Sequence, residues 1–138
     1  MKKGIGIILM DNVIIAVDFD GTITKKNIYP NIGEIRDECV DVLARLAGLG
    51  CIFVLWTCRT GKELQEARET CQFFNLPIKY FNENVPYIEE MWHKDTELPK
   101  NKSTVRKVFA HEYLDDANVG GFYGWENFET YILDKYFS

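Results

Sequence analysis

Cysteine and histidine are scarce in this chain, and those present are wrongly spaced for a metal cluster. Cys39, Cys51, Cys58 and Cys71 form no CxxC pair, and His93 and His111 stand far apart, so a zinc site has no ligand set of recognised spacing. The expectation is instead a set of reduced, mostly buried thiols in a soluble cytoplasmic protein. Long apolar runs are missing too. No stretch reaches the roughly 20 residues that a membrane span needs. The opening "MKKGIGIILMDN" sets two lysines before seven apolar residues, but Asp11 and Asn12 interrupt the run and no small-residue cleavage site follows, which argues against a signal peptide. An excess of positive charge is also lacking. Sixteen Lys and Arg against 21 Asp and Glu leave a net charge of −5, which argues against a nucleic-acid surface. A small anionic substrate stays open, provided a cation or local positive groups receive it. There is no repeat, low-complexity tract or linker, and 138 residues suit a single domain over 1–138.

What is present reads as strands alternating with helices. "GIGIILM" and "NVIIAVDF" are short, apolar and β-branched, the second like a strand buried on both faces. A turn at "MDN" separates them. Helical spacing of Ile35, Cys39, Leu43, Leu46 and Ala47 predicts a helix over Glu34–Leu49, stopped by Gly48 and Gly50. "CIFVLW" is a second apolar strand. "KELQEARETCQFFN" predicts a helix with Leu64, Ala67, Cys71 and Phe74 inward, and "IKYF" and "HEYLD" are further strands. Trp125, Phe128, Ile132 and Tyr136 give a closing helix an apolar stripe that suits the core better than a stacking platform. The alternation predicts an α/β protein with a doubly wound, mainly parallel sheet. The polar segment 83–106, with two prolines, is either a surface excursion or a flap over the site, with a short helix around Tyr87 to Trp92.

In an open parallel sheet, ligands bind beyond the carboxyl ends of the strands. There the sequence places Asp18 and Asp20 after "VIIAV", Thr57 after "CIFVLW", and Asp115 and Asp116 after "HEYL". Any one Asp at a strand end is ordinarily a turn or helix cap. Four converging on one edge need a cation, because unpaired carboxylates brought together would protonate. All-oxygen ligation points to a hard ion, and Mg²⁺ is the natural choice where a phosphate completes the shell.

These residues also resemble a known family. "VDFDGTI" is similar to the first signature of the haloacid dehalogenase superfamily, hDxDGTh, and Thr57, Lys107 and "YLDD" follow in the order of its other three. The resemblance implies a Rossmann-like core and a phosphohydrolase. Asp18 would be the nucleophile and Asp20 the proton donor and acceptor, their side chains brought to one side by period-two alternation. Thr57 would donate to a phosphoryl oxygen and Lys107 would pair with nucleophile and phosphate. Mg²⁺ would be held by Asp18, Asp20, Asp115 and Asp116, Asp20 through its carbonyl and one of the last pair through water. Gly21 would let the backbone bend beside the phosphate, and Gly21, Thr22, Cys58 and Arg59 would line the substrate. The second aspartate, Asp20, disfavours dehalogenation.

"YPNIGE", "LWTCRTG" and "KVFAHEYLDD" resemble a short phosphatase-like branch whose ending is "KPxADVYIDDR". Val108 stands where that branch often has proline, and Ala117 where it often has arginine, which removes a substrate contact. Lys102 and Arg106 are alternatives to Lys107 for the basic position. A surface charge is the plain alternative for Arg59, and a buried thiol for Cys58, whose place beside Thr57 would otherwise make activity sensitive to oxidation. Neither gap between signatures holds a folded cap domain, so an open site would accept a small phosphate ester or one borne by a macromolecule. Two other readings compete. A receiver-like domain clusters similar residues, but there an acidic pair precedes a lone phospho-accepting Asp, whereas here DxD comes first. A catalytically weak protein that keeps the metal site is the second.

Overall fold

The computed structural model describes residues 12–96 and 107–138, with the side chains of 92–96 excepted. The expected strand "GIGIILM" lies outside the described residues, as do Lys102 and Arg106.

Four short strands carry the sheet: β1 Ile14–Val17, β2 Ile52–Leu55, β3 Ile78–Phe81 and β4 Glu112–Leu114. They pair in the order β3-β2-β1-β4, and every pairing is parallel. The doubly wound α/β expectation therefore holds. Every side chain of β1 is buried, as a central strand covered on both faces requires. Alternation sends them two ways. Ile15 and Val17 join Leu43, Phe53 and Phe128 on one face, while Ile14 and Ala16 join Val54, Val85, Ile88 and Val108 on the other.

The helices are α1 Asp37–Gly48, α2 Gly61–Phe73, α3 Pro86–Thr96 and α4 Trp125–Tyr136. The first face is covered by α1 through Cys39, Val42, Leu43 and Leu46, α2 through Ala67 and Cys71, and α4 through Trp125, Phe128 and Ile132. The second is covered by α3 through Val85, just before it, and Ile88. The segment expected as an excursion or flap is thus, in its described part, the helical crossover from β3 to β4. Among the described residues no helix is long and apolar enough to cross a membrane.

Two helix predictions are corrected. Glu34–Arg36 fit helical periodicity but pair instead with the chain after β1: Thr24 bridges Ile35 in antiparallel sense, and Lys25 N–H donates to Glu34 O at 2.7 Å. Ile35 is buried all the same, so periodicity found a core residue and named the wrong element. Phe74, expected inward, is 40% exposed, because α2 stops at Phe73 and Asn75 turns the chain at φ 55°.

The chain runs outward from β1 to β3, then returns across the sheet to lay β4 on β1's other side. That reversal is a switch in strand order between β1 and β4, and the crevice expected outside the carboxyl ends of strands at such a switch is where an open α/β sheet binds its ligands.

Candidate metal and phosphate site

Asp18 stands at this crevice, its backbone N–H donating to Leu114 O at 2.9 Å. The chain then enters a wide turn, Phe19–Ile23, closed by Thr24 N–H on Phe19 O at 3.1 Å and by Gly21 N–H on Thr24 Oγ1 at 2.9 Å. Gly21 adopts φ 85°, and a Cβ there would run into the Asp116 carboxylate. Thr22 is fully buried: its hydroxyl accepts from Asp116 N–H at 3.0 Å and its carbonyl from the Trp125 indole at 2.9 Å. Gly21 and Thr22, expected to line the substrate, are engaged in seating Asp116 beside Asp18.

One carboxylate oxygen from each of Asp18, Asp115 and Asp116 lies within 4.8 Å of the others. Burial pushes the Asp18 carboxyl up to about 7; the charge of Asp115 adds to this, a Phe19 backbone hydrogen bond opposes it, and Asp116 and Asp20 add a little more. Asp116 is raised too, by burial and then by its hydrogen bond with Asp115 and that neighbour's charge, with Arg36 opposing. Three carboxylate oxygens gathered this closely are a donor set suited to a hard divalent cation. The residues present fit Mg²⁺.

Asp20 sends its carboxylate elsewhere. Period two would have put it beside Asp18, but the turn ends the extended segment at Asp18, and both Asp20 oxygens pair with Arg59 at 2.7 Å. Its carboxylate is outside the group of three; the ligand expected from Asp20 is its backbone carbonyl, a different atom from those that Arg59 holds.

Thr57 lies just past β2, beyond the Val17–Leu55 pairing, and so close to the level of the acidic turn. Its N–H donates to Asn82 Oδ1 at 2.8 Å and its hydroxyl accepts from Arg59 N–H at 3.2 Å, which keeps the O–H free to donate. Cys58 is exposed, against the expectation of a buried thiol, because the loop turns Cys58 out as it turns Arg59 in. Arg59, expected on an anionic substrate, is 1% exposed and has all five N–H groups engaged inside the protein. Lys107 is exposed, with its ammonium over the Tyr113 ring at 4.4 Å, and makes no ion pair with Asp18, Asp115 or Asp116.

Sequence reasoning passed over two residues. Asn82, at φ 55°, holds the Thr57–Arg59 loop through Oδ1 on Thr57 N–H and Nδ2 on Arg59 O at 3.1 Å. An Asn directly after "IKYF" is a turn signal that could have drawn notice. Arg36 donates to Thr24 O and Gly21 O, both at 3.2 Å, and so braces the acidic turn; no pattern marks it.

A structure of a conserved protein from Bacteroides thetaiotaomicron is similar to this one, with a TM-score of 0.75 and 33% identity over 91% of this chain and 93% of that one. The two chains belong to one family. No family model matches the chain, and no curated protein matches it. The shared family thus supports the fold.

Proposed function

We propose that this protein is a Mg²⁺-dependent phosphohydrolase of the haloacid dehalogenase kind, a phosphomonoesterase acting through an aspartyl-phosphate. The observation that carries the reading is the convergence of Asp18, Asp115 and Asp116 within 4.8 Å at the carboxyl ends of β1 and β4. Those three residues would hold the ion. Bound there, Mg²⁺ supplies positive charge that offsets their repulsion and polarises a phosphoryl oxygen. The order of "VDFDGTI", Thr57, Lys107 and "YLDD" along the chain supports the same assignment.

In this reaction an Asp18 oxygen attacks phosphorus in line, and the leaving-group oxygen departs with a proton from Asp20, whose carboxylate first leaves its Arg59 pair and takes up that proton from solvent. A water then attacks the aspartyl-phosphate and gives its proton to Asp20, which releases phosphate and regenerates Asp18. The Thr57 hydroxyl donates to a phosphoryl oxygen. Lys107, on a long exposed stem, moves from Tyr113 to the equatorial oxygens as charge builds there. The substrate is a phosphate ester, small or borne by a macromolecule, and the net charge of −5 weighs against nucleic acid. Four free cysteines suit a reducing compartment, and we place the protein in the cytoplasm.

The test is hydrolysis of p-nitrophenyl phosphate by wild type and Asp18→Asn, with and without Mg²⁺. Wild type should turn over only with the metal, and Asp18→Asn should lose about 10³-fold or more. Mg²⁺ binding without turnover, across a panel of sugar, nucleotide and protein phosphates, would leave a metal-binding module instead.

A further inference from the structure

Asn84 is a buried amide, 4% exposed, that joins two segments far apart in the chain. Its Nδ2 donates to Glu89 Oε2 at 2.7 Å, and its Oδ1 accepts from Phe109 N–H at 2.7 Å. The first bond ties α3 to the loop that leads into it. The second reaches 25 residues along the chain, to the stretch that carries Lys107. A second tether holds the same stretch: Tyr113 OH donates to Val108 O at 2.6 Å, and the Tyr113 ring carries the Lys107 ammonium 4.4 Å from its centroid. Val108 is fully buried on the face that α3 covers.

The loop that supplies Asn84 follows the carboxyl end of β3. There Asn82 N–H donates to Leu55 O at 2.8 Å, and the Asn82 side chain holds Thr57 N–H and Arg59 O. Asn84 therefore keeps Phe109 at the carboxyl-end side of the sheet, whereas His111, whose N–H donates to Ile14 O at 2.7 Å, already lies at the opposite end. Tyr113 pairs with Ala16, and the two stand two residues before Asp115 and Asp18 respectively. A cap on α3 would need only the bond to Glu89. The bond to Phe109 does something else: a buried amide must be matched at both ends, so Asn84 fits one placement of the Phe109 backbone. Lysine is a compact charge on a flexible stem, and where that charge can go is set by where its backbone is fixed.

We infer that Asn84 is a positioning residue, anchoring the Val108–Phe109 backbone so that Lys107 swings from Tyr113 to a phosphoryl oxygen. The loop after β3 then sets both groups that meet the phosphate, Thr57 through Asn82 and Lys107 through Asn84. The inference rests on the reading that Lys107 binds the substrate's phosphoryl group. It implies that Asn84 acts on phosphate through Lys107 and leaves the Asp18, Asp115 and Asp116 group as it was.

The experiment is a double-mutant cycle of wild type, Asn84→Ala, Lys107→Met and the double variant on p-nitrophenyl phosphate with Mg²⁺. Inhibition by inorganic phosphate and Mg²⁺ affinity by calorimetry are measured alongside. Expected is a loss in kcat/KM of about 10²-fold for Lys107→Met and about tenfold for Asn84→Ala, with phosphate inhibition weakened in both and Mg²⁺ affinity within about threefold of wild type. In the double variant the Asn84 change should cost less than about twofold beyond Lys107→Met, because its effect runs through that side chain. A full tenfold loss that survives in the double variant, a matching loss of Mg²⁺ affinity, or an indifferent Asn84→Ala would each overturn the positioning role. If Asn84→Ala does not fold, Tyr113→Phe, which keeps the ring and removes the bond to Val108 O, decides by the same cycle. Wild type inert with Mg²⁺ would overturn the phosphohydrolase reading, and the inference with it. An active wild type with an indifferent Lys107→Met would overturn the role of Lys107 and the inference, and leave the metal-dependent reaction standing.

Discussion

At Gly21 the backbone sits at φ 85°, and the space a Cβ would take is filled by the Asp116 carboxylate. Gly21→Ala should therefore do two separable things. The left-handed backbone should cost about 1–2 kcal/mol, read as a lower urea midpoint. Displacement of Asp116 should weaken Mg²⁺ binding in calorimetry. Adding Asp116→Ala to that variant should recover part of the stability and none of the metal affinity. Asn82 gives a second single-residue test. Its side chain takes Thr57 N–H at 2.8 Å and donates to Arg59 O, at a φ of 55° that glycine also adopts. Asn82→Gly keeps the backbone conformation and removes both bonds, so a loss of about 1–3 kcal/mol is expected in denaturant unfolding.

Between elements, the seam of β4 and α4 turns on one carboxylate. Glu112 accepts from Lys135 Nζ at 2.7 Å, Tyr136 OH at 2.6 Å and Tyr131 OH at 3.2 Å. Burial by itself would raise its pKa, but these three partners outweigh burial and hold it below the ordinary carboxylate value of 4.5. The folded state therefore binds fewer protons at Glu112 than the unfolded chain does. Its contribution is present in full above the unfolded pKa and is lost as pH falls through the lower folded one. Glu112→Gln should be less stable than wild type at pH 7, and the gap between their urea midpoints should narrow as the pH is taken below about 4.5. Unfolding curves at pH 7 and pH 3 check this, and a gap that widened in acid would refute it. Element boundaries were legible only in part. Ile35 satisfied the period of α1, yet its backbone pairs with Thr24, and periodicity alone does not distinguish a buried bridge from a helix turn.

For the molecule as a whole, the acidic crevice is a place where folding works against charge. Burial and neighbouring carboxylates raise Asp18 and Asp116, so a bound divalent ion should stabilise the fold. With Mg²⁺ at a hundred times its Kd, linkage gives about 2.7 kcal/mol. The melting temperature should rise on adding Mg²⁺, fall back with EDTA, and respond far less in Asp116→Asn. Continuous apolar runs announced β1 and β2, because a strand covered on both faces has no polar side to show, whereas the edge strands β3 and β4 are mixed in polarity. Acids at the ends of those runs announced the candidate site. What each acid does was less legible: the direction of Asp20 is decided by Arg59, 39 residues further along, and that of Arg59 by carbonyls of Pro30, Asn31 and Glu63. By itself, then, the sequence determined which segments are buried and which carboxylates stand at strand ends, since burial and period are local properties of the chain. Only the tertiary structure decided that β4 lies against β1, bringing Asp115 and Asp116 to Asp18, and that Asp20 faces a guanidinium instead of the acidic group. Both depend on contacts between residues distant in sequence, where one partner's direction is set by the whole packed core.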